Sequence, residues 1–416
     1  MKTLKFPWYF LPILILAGES VFMLPYVLSR IFRPTVLKVF QIDNVELGLC
    51  FSSYGMVAIL SYLLGGPIAD KYSPRKLMSL SLILTALGGL VYAQFPSFYG
   101  LKLIYGYWGF TTVFLFWSPM IKAARFWGGT SNQVKAFGFL EGGRGLVGAF
   151  IATLGVLVFN YFMDSKTPNL VDSKNAFRYV ILLSSSIVAI VGLLVWKFMK
   201  VDQEIEKNVV LKKISIEEIK KVLVLPSVWL LMIIVMCAYV GYKITDVFSL
   251  YALDVMLYDQ VASAGIATFL LYLRPLIAIS IAFFAGKWRN TSLLVFGFAI
   301  SFFGALIFSL GFISYSKTLL FLCSIFTLSI GVYSLRTLYF SILEKGHIPL
   351  PLTGTAVGLI SLIGYTPDIF IGPLMGYFLD NYPGIIGHQY VFGLLAIFSL
   401  VGYLTAKKYK ALFGHE

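Results

Sequence analysis

Long runs of apolar residues, separated by short polar stretches, account for most of the chain. The first run continues to Leu28 and is longer than the apolar segment of a signal peptide. A helix needs about 20 apolar residues to cross the hydrocarbon core of a bilayer. Eleven further runs of adequate length lie at about 46–69, 77–95, 98–121, 137–160, 177–197, 227–252, 260–286, 291–313, 318–343, 354–379 and 390–406. The pattern therefore predicts an all-α membrane protein with twelve transmembrane helices.

A polar stretch between residues 197 and 221 divides this pattern into two halves. It contains five acidic residues among seven lysines and no long apolar run. We predict two pseudo-symmetric six-helix bundles, an N-terminal one at 1–197 and a C-terminal one at 227–416, joined by a cytoplasmic linker at 198–226. The apolar residues from Ile214 to Val222 have the spacing of an amphipathic helix on the membrane surface.

An internal repeat supports the division into halves. An offset of 220 residues superposes three pairs of small residues without gaps, namely Gly66 on Gly286, Ala136 on Ala356 and Gly138 on Gly358. Parallel six-helix halves are typical of large transporter folds, whose substrate site lies near the membrane midplane.

Composition and charge narrow the possible partners. Hydrophobic residues make up 59% of the chain, charged residues 12%, and the mean hydropathy is +0.85, values typical of membrane proteins. The net charge of +14 comes from basic residues between the apolar runs, so we expect a lipid bilayer and no nucleic acid as partner. Lys and Arg number 21 on the side of the N-terminus and 7 on the other. We therefore expect a multi-pass protein of the bacterial inner membrane with both termini cytoplasmic.

The run that begins helix 5 carries an acid and a base inside an apolar segment. On a helix, Glu141 and Arg144 share one stripe with Phe137 and Gly148, and a neighbouring stripe consists of small residues. Charges within a bilayer face protein or water and are functional candidates. Two interpretations remain open: the pair lines a transport path, or its members only neutralise each other.

The loop between helices 2 and 3 reads Gly66-Pro-Ile-Ala-Asp70-Lys71-Tyr-Ser-Pro-Arg75-Lys76, and here the chain resembles the major facilitator superfamily. Ser73 stands where that family usually has glycine. The resemblance implies a transporter fold in which Asp70, Lys71 and Arg75 form a cytoplasmic latch between conformations. The alternative is a topological anchor that only keeps the loop inside. A looser likeness to bacterial members that carry organic anions lies in Glu141-Gly-Gly-Arg144 and Pro367-Asp368.

Depth in the membrane separates the remaining charges. At 1.5 Å per helical residue, Glu19 and Asp368 lie about 18 and 21 Å into their spans, and Arg274 is similarly deep. Arg144, Arg336 and Glu141 fall in the cytoplasmic half. Lys243 and Asp246 are expected to form a local salt bridge near the outer rim. Proline next to Arg274 and Asp368 is expected to distort the helix and free the carbonyls of Leu271 and Ile363.

Other kinds of site have little support. The three cysteines show no paired or metal-ligand spacing, so we expect no metal and no cofactor. None of His347, His388 and His415 falls in a predicted span, so carboxylates are expected to carry any proton. An enzyme would need a nucleophile or metal constellation, and a channel would need filter repeats.

These observations predict a monomeric secondary active transporter that moves a small polar, anionic metabolite by alternating access, coupled to protons. Arg274 and Arg336 are the first candidates for binding the substrate, followed by Arg144. Candidates for proton coupling are Glu19, Asp368 and Glu141, because desolvation near the midplane favours a neutral carboxyl. The alternative within the class is an exporter of drugs or amphiphilic compounds; outside it, a membrane-embedded enzyme or a channel.

Overall fold

A computed structural model describes residues 7–128, 133–163, 169–199, 216–285, 288–348 and 353–414. The regular elements of these segments are helical. Those of the first half are α1 Phe10–Ser20, a π-helical turn Met23–Val27, α2 Leu28–Ile31, α3 Arg33–Phe40, α4 Asn44–Lys71, α5 Pro74–Tyr92, α6 Phe98–Gly109, a π-helical segment Phe110–Trp117, α7 Ser118–Gly128, α8 Gln133–Phe162 and α9 Leu170–Phe198.

The second half begins with a short linker helix. Its elements are α10 Ile216–Leu223, α11 Pro226–Ile244, a 3₁₀ turn Thr245–Val247, α12 Phe248–Asp254, α13 Gln260–Ala285, α14 Asn290–Ser309, α15 Thr318–Leu338, a 3₁₀ turn Glu344–Gly346, α16 Thr353–Gly364, α17 Pro367–Asn381 and α18 Ile385–Phe413. Val222 of α10 is buried in the apolar core around α11. The helix expected in this part of the linker is present, and its apolar face packs on protein.

Ten helices among the described residues are long and apolar enough to cross a membrane, and a bent pair, Phe10–Ser20 with Met23–Ile31, makes up to eleven. The predicted span at 98–121 is the twelfth. It consists of α6, the π-helical segment and α7 in direct succession, each of them shorter than a full span, and it reaches Gly128 rather than residue 121. The all-α fold with twelve spans predicted from the sequence agrees with this architecture.

The chain forms two compact units. Unit 1 comprises Met1–Ile42, Leu49–Lys212 and Gln260–Tyr272, and unit 2 comprises Asp43–Gly48, Lys213–Asp259 and Leu273–Glu416. In unit 1, α5 packs along α9 and α1 along α8; in unit 2, α14 packs against α15 and α18. The boundaries of the two six-helix bundles and of the linker, given above from the sequence, stay a prediction.

Glycines permit close helix contacts in both units. In unit 1, a Cβ at Gly143 would lie 2.6 Å from Ile15, whereas one at Gly142 would meet nothing within 4 Å. The close approach of α1 to α8 therefore uses Gly143, whereas Gly142, one member of the small-residue stripe expected from the sequence, faces open space. In unit 2, a Cβ at Gly331 would lie 2.4 Å from the Ser301 hydroxyl, so α14 and α15 meet almost backbone to backbone.

Carboxylates satisfy the first turn of α4. Asp43 and Glu46 form reciprocal hydrogen bonds, with Glu46 N donating to Asp43 Oδ1 at 2.7 Å and Asp43 N donating to Glu46 Oε2 at 3.2 Å. Within unit 2, Asp380 of α17 accepts from Asn44 N at 3.1 Å, Asn44 Nδ2 at 2.9 Å and Val45 N at 2.8 Å. These bonds satisfy amide donors that a helix start leaves without intrahelical partners.

Candidate functional sites

Arg144 joins two glutamates in unit 1. Its Nε lies 3.2 Å from Glu19 Oε2 and its Nη1 lies 2.6 Å from Glu141 Oε1. The Arg144 and Glu19 side chains are each 5% exposed, whereas Glu141 is 49% exposed. The charge at Glu141 is therefore half-exposed and not buried as its position in the span suggested. One guanidinium faces two carboxylates, so the three side chains carry a net charge of −1.

Glycines and aromatic rings shape this cluster. A Cβ at Gly148 would lie 2.8 Å from Glu19 Oε1, and one at Gly18 would lie 3.2 Å from Arg144 Cδ. The Arg144 guanidinium carbon lies 5.4 Å from the centre of the Phe22 ring and 5.9 Å from that of Trp117. Two carboxylates and two rings thus hold the arginine, an arrangement that fixes its position at the junction of α1 and α8.

Lys243 joins two aspartates in unit 2. Its Nζ lies 3.3 Å from Asp368 Oδ1 and 3.6 Å from Asp246 Oδ2, and the Lys243 and Asp246 side chains are almost fully buried. The Tyr239 hydroxyl lies 3.1 Å from both Asp368 oxygens. The expected pair of Lys243 and Asp246 is present, but it is part of a buried cluster with Asp368 and not merely a local salt bridge. Sequence reasoning missed this link.

Arg274 and Arg336 meet at one aromatic ring. The guanidinium carbon of Arg336 lies 3.9 Å from the ring centre of Tyr242, and that of Arg274 lies 6.0 Å from it. Tyr242 also stacks with Tyr239 at 5.8 Å, and Tyr239 contacts Tyr365 edge to face at 4.8 Å. Both arginines predicted to bind substrate therefore lie beside the residue that precedes Lys243.

The 220-residue repeat relates the two clusters. It places Glu19 on Tyr239, Phe22 on Tyr242 and Gly148 on Asp368. In unit 1 the carboxylate is Glu19 of α1, and it faces Gly148. In unit 2 the carboxylate is Asp368 of α17, and it faces Tyr239. In both units a guanidinium lies over the corresponding aromatic ring, Arg144 over Phe22 and Arg336 over Tyr242. The 220-residue offset was therefore a signal in the sequence that could have identified Tyr239 and Tyr242 as members of the unit 2 cluster.

Proline 367 breaks its helix, whereas Pro275 does not. The chain between α16 and α17 departs from helix, and the Ile363 carbonyl accepts hydrogen bonds from Thr366 N at 3.1 Å and Thr366 Oγ1 at 2.7 Å. Asp368 is thus the second residue of a new helix. By contrast, α13 runs through Pro275 without interruption, so the expected break beside Arg274 is wrong.

The predicted latch is described only in part. The side chains of Asp70 and Lys71 lie outside the described residues. Arg75 donates from Nη1 to the Trp196 carbonyl at 3.3 Å, and its guanidinium lies 5.0 Å from the indole centre. Buried Lys122 of α7, which sequence reasoning assigned to a loop, donates to the Ala69 carbonyl at 2.9 Å and so anchors the last turn of α4.

His388 corrects another expectation. It lies within the apolar helix α18, fully buried, with Nε2 3.2 Å from Asp254 Oδ2. The statement that no histidine falls in a span was wrong because α18 begins at Ile385, five residues before the predicted start. Among the described residues, no group of three His, Cys, Asp or Glu side chains is arranged to hold a metal ion.

Buried ion pairs inside two units of membrane-spanning helices define a polytopic membrane protein of the transporter type. The family model for the Major Facilitator Superfamily matches residues 10–370. The chain belongs to this superfamily, which confirms the resemblance found in the loop between α4 and α5. It is therefore a secondary transporter of small molecules and not an enzyme.

Relatives agree with this assignment. The chain is 27% identical over 416 residues to the inner membrane protein YqcE of Escherichia coli K12, covering 94% of this chain and 92% of the relative. It is 28% identical over 407 residues to the inner membrane protein YihN of the same organism, covering 96% and 94%. These similarities support an integral protein of the bacterial inner membrane.

Solved structures share the fold. A bacterial homologue of the human lysosomal transporter Spinster, in an inward-facing and occupied conformation, superposes with a TM-score of 0.74 at 15% identity, covering 97% of both chains. The nucleoside transporter NupG superposes with a TM-score of 0.72 at 15% identity, covering 98% of this chain and 99% of NupG. Similarity at this level concerns the fold and not the substrate.

Proposed function

We propose that this transporter moves a small polar anion by alternating access and couples that movement to protons. The supporting observation is the charge of the unit 2 cluster. Lys243, Arg274 and Arg336 are three cations around Tyr242, and Asp246 and Asp368 are two anions in contact with Lys243. The net charge of +1 attracts an anion in a medium of low dielectric constant.

Arg274 and Arg336 are the substrate contacts in this proposal. A guanidinium offers paired donors to a carboxylate or phosphate, and its stacking on Tyr242 orients it. Arg144, the third candidate, is already held by Glu19 and Glu141. We therefore assign it to the ion cluster of unit 1, whose carboxylates Glu19 and Glu141 are, with Asp368, the candidates for proton coupling.

The cytoplasmic location of both termini and the monomeric state belong to the same proposal. The excess of Lys and Arg on the side of the termini supports the orientation. Labelling of single cysteines introduced at the N-terminus and in the 313–317 loop of intact cells tests it, because only the loop should react with an impermeant reagent.

The experiment for the substrate has two stages. Purified protein is first screened by thermal shift against sugar acids, phosphorylated sugars, amino acids and nucleosides, since a ligand that binds the folded form raises its stability. Arg274→Ala and Arg336→Ala are then compared with Arg289→Ala, an exposed arginine of the same unit. We expect the first two to abolish stabilisation by an anion and the third to preserve it. Normal anion binding by both cluster variants contradicts the proposal.

One observation favours the alternative of an amphiphile exporter. Unit 1 has a groove of about 490 Å³ with an almost wholly apolar lining that includes Leu16, Leu146, Phe150 and Ile190. An uptake assay in membrane vesicles distinguishes the two functions. Accumulation of hydrophobic cations or dyes, with no effect of Arg336→Ala, favours the exporter.

A further inference from the structure

We propose that the anionic substrate and Asp368 compete for Lys243, and that Asp368 takes up the coupling proton when the substrate displaces it. The inference rests on the proposed function. It assigns roles to Lys243, which that function uses only as a cation, and to Tyr239, which it leaves without a role.

Lys243 is a single ammonium between two carboxylates. Its Nζ lies 3.3 Å from Asp368 and 3.6 Å from Asp246, and it is 2% exposed. As long as Lys243 remains beside both acids, its ammonium offsets part of their negative charge. Removal of the ammonium from either one leaves a buried anion, which is costly unless it is protonated.

The two acids differ in how firmly they are tied to Lys243. Asp246 follows Lys243 by three residues on the same span and is 3% exposed, whereas Asp368 comes from α17 and is 13% exposed. Asp368 also lies directly after the break that precedes Pro367. Asp246 is therefore the permanent partner, and Asp368 is the one that an incoming anion can replace.

Tyr239 allows Asp368 to exist in either protonation state. Its hydroxyl lies 3.1 Å from each carboxylate oxygen, so it donates to the ionised form. A hydroxyl also accepts hydrogen bonds, so the same group can accept from a protonated Asp368. Other charged and titratable groups among the described residues of this cluster are Tyr365, which contacts Tyr239, Tyr333, which contacts Tyr242, and Arg274 and Arg336 at Tyr242.

The arginines lie one aromatic ring away from the residue that contacts Asp368. Both guanidinium groups approach Tyr242, which stacks with Tyr239 at 5.8 Å, and the Tyr239 hydroxyl lies 3.1 Å from both Asp368 oxygens. An oxyanion that replaces Asp368 on Lys243 adds one negative charge to the cluster. The proton that moves from water to an Asp368 oxygen adds one positive charge, so the net charge of +1 is the same before and after binding. No other bond forms or breaks, and the proton returns to water when the anion leaves.

The experiment measures the protons taken up when an anion binds. Full-length protein in detergent and weak buffer, with a pH indicator, receives D-gluconate, D-glucose 6-phosphate or inorganic phosphate. We expect an anion that stabilises the wild-type protein to bind with about one proton. Because one proton is taken up with the anion, the affinity should fall by up to about tenfold for each unit of rising pH. Asp368→Asn should bind the anion without proton uptake, and Asp254→Asn, the matched control, should behave as wild type.

Lys243→Met tests the competition itself. It should bind the anion at least tenfold more weakly, and since it leaves two buried carboxylates without their ammonium it can fail to fold. Lys243→Met/Asp368→Asn loses one charge of each sign and serves as the second variant; we expect weak anion binding and no proton uptake. Binding without proton uptake by the wild type, or uptake that survives in Asp368→Asn, overturns the inference but leaves the anion proposal standing. Failure of every anion to bind rejects both.

Discussion

At the scale of single residues, each unit holds one cation between two carboxylates. In unit 1 the cation is Arg144, and in unit 2 it is Lys243. An arginine is always charged, whereas a lysine is a compact point charge that changes partners easily. We infer that the first cluster is the more rigid of the two, and the second the more adaptable.

Removal of Arg144 should destabilise unit 1. Arg144→Leu leaves Glu19 buried without its guanidinium, a change that costs about 3–5 kcal/mol when one partner of a buried pair is lost. Unfolding of the purified protein, followed by intrinsic fluorescence in denaturant, measures it. The double variant Glu19→Gln/Arg144→Leu should recover part of the loss; equal stability of wild type and Arg144→Leu would show that the pair contributes nothing.

Glu19→Gln should uncouple transport without abolishing it. If Glu19 binds the coupling proton, its amide variant loses accumulation driven by a proton gradient but retains exchange of labelled for unlabelled substrate. Both are measured in proteoliposomes, beside Glu46→Gln, an acid in the first turn of α4. Accumulation equal to wild type under an imposed proton gradient excludes Glu19 as the coupling residue.

At the scale of elements, the apolar periodicity was sufficient to predict the helices but not the places where they are interrupted. The span at 98–121 gave no sign of its π-helical segment, because Phe110–Trp117 is as apolar as its flanks. Of the two prolines, only Pro367 breaks its helix. A proline inside a helix removes one hydrogen bond, as at Pro275, whereas Pro367 begins a new helix, where its missing amide costs none.

The start of α4 offers a test at this scale. Asp380→Ala removes three hydrogen bonds to Asn44 and Val45, and loss of a helix-capping side chain costs about 0.5–2 kcal/mol. We expect a lower Tm for Asp380→Ala and faster hydrogen exchange confined to the first turn of α4. Asp259→Ala, in the same unit and in the loop before α13, is the control. Unchanged exchange at residues 44–47 contradicts the assigned cap.

At the scale of the whole molecule, the sequence predicted the fold and the family, and much less of the sites. The family signature near Asp70 and the number of apolar runs required no knowledge of packing. Arg274, Arg336 and Asp368 were also predicted as site residues from the sequence. Lys243 and Tyr239 were not predicted as partners of Asp368, because they are more than 120 residues away from it in the chain. Such contacts depend on how helices rotate about their axes.

The predicted latch belongs to this scale, because it governs conformational change. Asp70→Asn should reduce the transport rate several-fold and change ligand affinity little, since it biases an equilibrium between conformations without altering the clusters. Initial rates in proteoliposomes, compared with ligand affinity from thermal shift, separate the two effects. Lys76→Gln, a base in the first turn of α5, is the control, and a normal rate in Asp70→Asn removes the latch assignment.

The separation of 125 positions between Glu19 and Arg144 has a consequence for biogenesis. A ribosome adds about 5–20 residues per second, so α1 is made roughly 6–25 s before its arginine. During that interval a carboxyl in the first span has no partner from α8, at an insertion cost of about 2.5–3.5 kcal/mol when ionised. The nascent α1 is therefore expected to enter the bilayer with Glu19 protonated or to wait beside the insertion machinery. Lys243 and Asp246, three residues apart, enter together as a neutral pair.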